Sequence, residues 1–206
     1  MLRTKSPGFE GSMVINMDKV QKTIGISGGT LKIIAVVCML TDHTAAVLLG
    51  NILVDNGIYS VADFSLGYMQ ELIQVSSTGW VYFAYQVMRR IIGRMAFPIY
   101  CFLLTEGFEK TKSRLKYAGR LFAFALISEI PFDLAQNGEV FYPYYQNVFF
   151  TLLIGFLMIW LMEKIEKRCQ NFFFRLAGQA AAFCAASVLS ELIYCDYGVH
   201  GVIAIA

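Results

Sequence analysis

The chain has 206 residues, of which 57% are hydrophobic and only 16% are charged, and its formal net charge is +2. Ordinary soluble domains carry about 25% charged residues, so this composition excludes a typical soluble protein and favours one that lies in lipid. The small net charge gives no indication of a nucleic-acid partner. The two histidines and five cysteines show no metal-ligand spacing, and we predict no metal site.

The N-terminal part of the chain is polar and basic. Residues 1–30 contain Arg3, Lys5, Lys19 and Lys22 and no apolar run long enough for a signal peptide. We therefore predict a cytoplasmic segment over residues 1–30 and a membrane domain over residues 31–206. We expect this domain to be incomplete at its C-terminus, because its last apolar run starts near Gly198 and stops at Ala206.

Apolar runs of membrane-spanning length follow. A membrane helix needs about 20 mostly apolar residues, and the sequence predicts helices at about 31–54, 91–108, 116–134, 147–163, 172–193 and from Gly198 onward. The predicted fold is an all-α, polytopic bundle of about six membrane helices. Residues 80–88, rich in aromatic side chains, are either an interfacial helix at the outer face or the tilted start of the second membrane helix.

The distribution of basic residues predicts the orientation of the bundle. Lysine and arginine concentrate in cytoplasmic loops. Of the 17 basic residues, 14 lie in the N-terminal segment or around the connections that follow the second and fourth helices. The exceptions are Arg89, Arg90 and Arg94. We therefore predict that the N-terminus is cytoplasmic and that the helices alternate in direction from there.

Asp42 and His43 lie within the first apolar helix. His43 follows Lys32 by 11 residues, or about 16 Å of helix, which places it near the middle of the bilayer. One interpretation is a hydrogen bond that packs helices together. The other is a histidine that handles protons or activates a nucleophile, since its pKa lies near neutral pH. Asp42 points about 100° away from His43, and an arginine on another helix is its alternative partner.

Other polar residues fall at a shared depth. Measured from the cytoplasmic helix ends, Arg94, Glu129, Asn147 and Glu191 lie about 20–25 Å into the membrane, and His200 lies near the same face. This shared depth predicts a cavity that opens to the outer face and has His43 at its floor. In the alternative, some of these residues simply meet water and headgroups at the interface.

Charged residues near the cytoplasmic face have two interpretations. For Glu106 and Arg120 we favour a structural ion pair. The basic loops could serve topology alone, or they could bind the phosphates of an acyl donor. In the second case the donor-binding residues would be Lys112, Arg114, Lys116 and Lys164.

Five blocks of sequence together resemble a known family. They are the helix that opens at Leu31-Lys32 and carries Asp42-His43, GRMAFPI (93–99) with LLTEGF (103–108), RLF (120–122) with ALISEIPF (125–132), NVFFTLLIG (147–155), and Asp196-Tyr197-Gly198 with Gly201. Their order and their spread over residues 31–206 are similar to those of the TraX family. Relatives usually continue with further helices beyond the point where this chain stops.

The resemblance implies a multi-pass protein of the bacterial inner membrane. The founding TraX protein acetylates the N-terminal amine of a conjugative pilin. The family also resembles the acyltransferase-3 group, which moves acyl groups from cytoplasmic acyl-CoA to acceptors outside and uses a histidine of its first helix. By position, His43 would take that role, and Arg94 and Asn147 are matched polar positions. The implied partners are acyl-CoA, membrane lipid and an acceptor, either a peptide N-terminus or a glycan; a homo-oligomer is one alternative for the assembly.

The resulting hypothesis is an acetyl-CoA-dependent acyltransferase. His43, near Asp42, would act as a general base or accept the acetyl group itself, and Arg94 or Asn147 would stabilise the oxyanion. The acceptor side would be formed by Glu129, Glu191 and His200. One rival is a proton-coupled transporter or channel, since buried ionisable groups also suit a proton relay. Another is a non-catalytic membrane partner in which these groups only hold helices together.

Overall fold

A computed structural model gives the fold of residues 27–58 and 65–206. Over these ranges the chain forms seven helices and no strand, which confirms the predicted all-α class. Residues 1–26 of the predicted cytoplasmic segment lie outside the described residues. In chain order the helices are α1 (Gly28–Asp55), α2 (Leu66–Val75), α3 (Thr78–Lys110), α4 (Arg114–Asn137), α5 (Val148–Arg168), α6 (Phe172–Leu192) and α7 (Gly198–Ile205).

Four of these helices are long and apolar enough to cross a membrane: α1, α3, α5 and α6. α4 has 24 residues, but charged side chains interrupt its apolar sequence, and α7 has eight residues. Each apolar run predicted from the sequence therefore forms a helix. The outer faces expose large apolar side chains such as Leu40, Phe102 and Phe173, which indicates a surface in contact with lipid.

The second long helix starts earlier than its apolar run suggested. α3 begins at Thr78, so Trp80–Met88 is the first part of this helix rather than a separate interfacial one. The short helix α2 was not predicted. It packs against the start of α3, where the rings of Tyr68 and Tyr82 meet edge to face with centroids 5.6 Å apart.

Side-chain caps fix where the helices begin. The hydroxyl of Ser27 accepts the N–H of Thr30 at the start of α1, and the hydroxyl of Ser113 accepts the N–H of Lys116 at the start of α4. Asn147 and Asn171 cap α5 and α6 in the same way. These oxygens satisfy first-turn amides that have no partner within the helix.

The core lies around α5, which packs against α3, α4, α6 and α7. Phe156 is fully buried between the rings of Tyr117 and Phe108, and Leu152 is buried beside it. Two glycines bring α7 against α5: a Cβ on Gly155 would overlap Ile205, and one on Gly201 would overlap Thr151. Small residues allow this close approach of helices within a membrane.

Candidate active site

Two irregular stretches of helix face each other beside Asp42 and His43. Immediately after these residues, α1 contains a π-helical turn at Ala45–Leu49. α3 contains another at Val87–Ile92, followed by a 3₁₀ turn at Gly93–Met95, and both stretches of α3 pack on α1. Proline has no N–H, so Pro98 leaves the carbonyl of Arg94 without its usual helical partner. Such π turns occur frequently at functional sites.

The two helices approach each other most closely at Gly93. A Cβ on this residue would overlap the carboxylate of Asp42. One turn earlier on α3, Arg89 places its Nε 3.4 Å from Oδ1 of Asp42 and its Nη1 3.4 Å from the hydroxyl of Tyr85. Arg89 is therefore the arginine on another helix that the position of Asp42 predicted. The glycine is what gives the carboxylate room to lie between α1 and α3.

His43 lies next to this pair. Its Nδ1 is 3.9 Å from Oδ2 of Asp42, which is too far for a hydrogen bond. This nitrogen is buried and has no hydrogen-bond partner within the described residues. The ring packs edge-on against Phe132 with centroids 6.0 Å apart, and 36% of the side chain is exposed. The imidazole is therefore held by its packing against Phe132, and part of its ring remains exposed.

Two connected hollows surround His43. The first, here called the histidine cavity, has a volume of about 350 Å³ and mostly apolar walls that include Tyr100, Phe132 and Phe149. The second, here called the charged vestibule, has a volume of about 320 Å³ and is lined by polar groups. The residues that line both hollows are Asp42, His43, Gly93, Phe132, Gln136, Asp196 and Tyr197.

A short contact between two loops forms one wall of these hollows. The N–H of Gln146 donates to the carbonyl of Tyr194, and the N–H of Asp196 donates to the carbonyl of Gln146. Next to this bridge, the hydroxyl of Tyr145 donates to Oδ1 of Asp196 at 2.5 Å. The bridge thus brings the loop before α5 together with the loop after α6 and places Tyr145 and Asp196 in the vestibule.

Asp196 lies in the connection between α6 and α7, outside the membrane-spanning helices. Burial raises the pKa of its carboxyl group above the usual value, and the Tyr145 hydroxyl and the nearby charges of His43 and Arg89 oppose that rise. Burial also raises the pKa of the Tyr145 hydroxyl, which therefore stays a hydrogen-bond donor. The vestibule thus contains a second carboxyl group besides that of Asp42, and the Tyr145 hydroxyl donates a hydrogen bond to it.

Asn147 lines the histidine cavity, but its amide is fully engaged. Its Oδ1 accepts the N–H of Phe149, and its Nδ2 donates to the carbonyl of Ala125 at 2.8 Å and to Oε2 of Glu129. An amide nitrogen has two hydrogens, so none remains for an oxyanion. In this arrangement the Asn147 amide has no N–H left for the predicted role of oxyanion donor, and the residue joins α4 to the start of α5.

Arg94 and the three predicted acceptor-side residues lie in three different places. Arg94 and His200 line the charged vestibule with His43, as the shared depth predicted. Glu129 is buried behind Asn147 rather than on a cavity wall. Glu191 is exposed and accepts the N–H of Val199 at 2.8 Å, so it caps the start of α7 and does not line either hollow. Depth along a helix does not specify which way a side chain points.

The predicted donor-binding residues lie at the opposite end of the bundle. Arg114 pairs with Glu163 at 3.1 Å and stacks on Phe108, while Lys164 lies over the ring of Trp160 at 4.2 Å. Lys112 and Lys116 are exposed. None of these four side chains lines one of the three described hollows.

A third hollow, here called the basic cleft, lies at this end between α1, α3, α4 and α5. It has a volume of about 790 Å³, and Lys32, Lys110 and Arg120 contribute its positive charges. Glu106 also lines the cleft and pairs with Lys110 at 2.6 Å. Arg120 stacks over the ring of Tyr117 instead, so the predicted ion pair between Glu106 and Arg120 is wrong.

Three residues of the vestibule were not singled out from the sequence as site residues. Arg89 was noted only as an exception to the charge distribution, and Asp196 only as part of a family block. Tyr145 gave no signal, because it lies in a loop of several tyrosines. For Asp196, its position as an acidic residue between two apolar helices could have indicated a functional site.

The family described as "TraX protein" matches this chain over residues 27–206. Among curated proteins, the chain is similar to a "Probable fimbrial assembly protein FimC, serogroup H1" of Dichelobacter nodosus. The two are 26% identical over 191 residues, which cover 89% of this chain and 62% of the relative's length. No solved structure matches the chain.

Proposed function

We propose that this chain, which belongs to the TraX family, is a membrane-embedded acyltransferase that moves an acetyl group from cytoplasmic acetyl-CoA to an amine or hydroxyl at the outer face. The observation that carries the proposal is the position of His43 between an apolar cavity and a charged vestibule. An acyl thioester is largely apolar and suits the cavity. A polar acceptor suits the vestibule, and the two would meet at the imidazole.

The reaction needs one proton transfer in each direction. The acceptor N–H or O–H gives its proton to a ring nitrogen of His43 as its N or O attacks the thioester carbonyl. The tetrahedral intermediate then expels the thiolate of coenzyme A, which takes the proton back from the imidazolium. In the covalent alternative, a ring nitrogen of His43 attacks the thioester carbonyl and the thiolate leaves as the thiol, with the proton from the other ring nitrogen. The acceptor then attacks the acetyl-imidazole and gives its own proton to the departing imidazole. The partly exposed ring of His43, which lines both hollows, supports either route.

The negative charge on the carbonyl oxygen needs stabilisation near His43. Arg94 lines the vestibule with His43 and has no ion pair within the described residues, so we assign the oxyanion to its guanidinium. Arg89 already compensates Asp42 at 3.4 Å. The Asp42 carboxylate in turn stabilises the imidazolium that forms 3.9 Å away.

The proposed acceptor follows from the name of the similar protein. The similar protein of D. nodosus is named as a probable fimbrial assembly protein, so we propose a pilin-like surface protein as acceptor, with a glycan as the alternative. The chain spans 62% of that relative's length. We place the protein in the bacterial inner membrane, with acyl-CoA and lipid as its partners.

Acetyl transfer in membrane vesicles tests the proposal. Inside-out vesicles from cells that express the chain are supplied with radiolabelled acetyl-CoA, and label that enters protein or glycan is measured. We expect incorporation above that of vesicles without the chain, and its loss in His43→Ala and His43→Gln. Phe102→Ala, which changes an exposed lipid-facing side chain, is the control and should keep the wild-type rate. Equal incorporation with wild-type protein and His43→Ala would refute the role of His43.

One observation favours a transporter as the second candidate. The basic cleft and the histidine cavity share Tyr100 and Phe149 in their walls, so the hollows follow one another from one end of the bundle toward the other. A proton-coupled transporter would use such a passage. Solute uptake into proteoliposomes that depends on a pH gradient and not on acetyl-CoA would favour it.

A further inference from the structure

The basic cleft carries an excess of positive charge. Lys32, Lys110 and Arg120 come from three different helices and line the same hollow, whereas Glu106 is the one acidic residue among its described lining. That carboxylate is paired with Lys110. Lys32 and Arg120 form no salt bridge within the described residues. An anionic group of two or more charges would therefore be complementary to the basic cleft.

The start of α1 adds to this positive potential. Gly28 and Gly29, the first residues of the helix, line the cleft. The N-terminus of a helix carries a partial positive charge. Ser27 caps the N–H of Thr30 there, while Gly28 and Gly29 add no side chains of their own. A Cβ on Gly28 would come within 3.3 Å of Oε2 of Glu106, so the helix start lies directly at the cleft wall.

The inner wall of the cleft is apolar and leads toward His43. Leu103, Leu121 and Leu152 line it, and Tyr100 and Phe149 line both the cleft and the histidine cavity. From Lys32 to His43 the chain rises 11 residues along α1, or about 16 Å. A ligand with an anionic head in the cleft and an extended arm would therefore reach the imidazole past Tyr100 and Phe149.

We propose that the basic cleft binds the phosphate-bearing nucleotide end of the acyl-CoA donor, with Lys32, Lys110 and Arg120 contacting its phosphates. The thioester arm then passes Tyr100 and Phe149 to His43. This inference rests on the proposed function. It assigns the donor to a different set of basic residues from Lys112, Arg114, Lys116 and Lys164, which lie outside the cleft.

Equilibrium binding of radiolabelled acetyl-CoA tests the inference without knowledge of the acceptor. The full chain is reconstituted in neutral phosphatidylcholine nanodiscs, and its affinity is measured for Lys32→Gln, Lys110→Gln and Arg120→Gln. We expect each variant to bind acetyl-CoA about three- to tenfold more weakly, because each loses one charge-assisted contact with phosphate at a partly exposed site. Removal of the 3′-phosphate of the ligand should weaken wild-type binding similarly and reduce the effect of the variants.

Arg168→Gln is the matched control, since it removes an exposed charge at the same end of the bundle but outside the cleft. It should bind like wild type, and thermal unfolding checks that every variant is folded. Unchanged affinity in all three cleft variants, or weaker binding in Lys112→Gln and Lys116→Gln instead, overturns the inference and leaves the proposed function intact. If wild type binds no acetyl-CoA at all, the donor itself is wrong and both proposals fail.

A lipid headgroup is the other source of phosphate, and added phosphatidylglycerol distinguishes it. With a donor site, anionic lipid should change the acetyl-CoA affinity of wild type and Lys32→Gln by the same factor. If phosphatidylglycerol competes with acetyl-CoA in wild type but no longer in Lys32→Gln, the cleft is a lipid site and the inference is overturned.

Discussion

The guanidinium of Arg89 lies 3.4 Å from the carboxylate of Asp42, across the interface between α3 and α1. This pair stands directly beside His43 and is only partly exposed. It places the Asp42 carboxyl group against the guanidinium, so that His43 has this carboxyl group as a neighbour but no direct hydrogen bond to it. The imidazole and the ion pair therefore lie side by side in the charged vestibule.

We predict that Arg89 and Asp42 are energetically coupled. Removal of either partner leaves the other as an uncompensated charge between helices, so Arg89→Gln and Asp42→Asn should each destabilise the protein. The double variant should lose less than the sum, with a coupling of about 1 kcal/mol for a partly exposed pair. Thermal unfolding followed by tryptophan fluorescence measures the effect. Strictly additive losses would mean that the pair makes no energetic contribution.

A second prediction concerns glycine and alanine in helices. Gly93→Ala should destabilise the protein by about 1–3 kcal/mol, because the new methyl group overlaps the Asp42 carboxylate. Gly119→Ala is the matched control: it is an exposed position in α4 with nothing within 4 Å of a new Cβ. There the higher helix propensity of alanine should stabilise by up to about 1 kcal/mol. Similar shifts in the two variants would contradict the close approach of α1 and α3.

The third prediction compares two asparagine caps. Asn147→Asp keeps the cap of α5 but loses both N–H donors and places a carboxylate against buried Glu129, so we expect a loss of about 2–4 kcal/mol. Asn171→Asp should be nearly neutral, because Asn171 uses only its oxygen as a cap of α6. The same unfolding measurement applies to both.

Restoring the lost donor provides a check on this prediction. In the background of Asn147→Asp, the change Glu129→Gln supplies an amide that can donate to the new carboxylate. The double variant should therefore regain part of the lost stability. If Glu129→Gln instead adds to the loss, the contact between residues 129 and 147 is not the reason for the destabilisation.

The fourth prediction concerns pH. Burial raises the pKa of Asp196 above its usual 3.8, so the folded protein holds this proton more tightly than the unfolded chain. The resulting stabilisation is complete below pH 3.8 and is lost as the pH rises through the raised value. Asp196→Asn should remove this decline in unfolding temperature, while Tyr145→Phe should extend it to higher pH by removing the donor to the carboxylate. Superimposable pH profiles in all three proteins would contradict the assignment.

The sequence predicted the helices well because their apolar runs are long. It also predicted that His43, Arg94 and His200 share a region, because the depth of a residue in the membrane can be counted along its helix. It did not predict direction around the helix axis: Glu191 points to the start of α7, and Glu129 points to Asn147. The π turns in α1 and α3 rotate nearby residues around the helix axis. Regular helical spacing therefore does not predict which way their side chains point.

Contacts between distant loops were also beyond the sequence. The hydrogen bond from Tyr145 to Asp196 joins residues 51 positions apart and depends on the backbone bridge between Gln146 and Cys195. Similarly, Lys32, Lys110 and Arg120 meet only because the start of α1, the end of α3 and the start of α4 lie at the same cleft. Basic residues close together in the sequence around the start of α4, such as Lys112 and Lys116, gave a stronger pattern but lie outside this cleft.

The bridge between Gln146 and Cys195 also bears on how the protein matures during synthesis. Tyr145 emerges from the ribosome long before Asp196, and the two can meet only after α5 and α6 have both been inserted as a hairpin into the bilayer. A nascent chain that ends before Tyr194 would contain His43, Arg89 and Arg94 but would lack Asp196 in the vestibule wall. The wall that Tyr145 and Asp196 contribute to the vestibule therefore forms only after translation has passed α6.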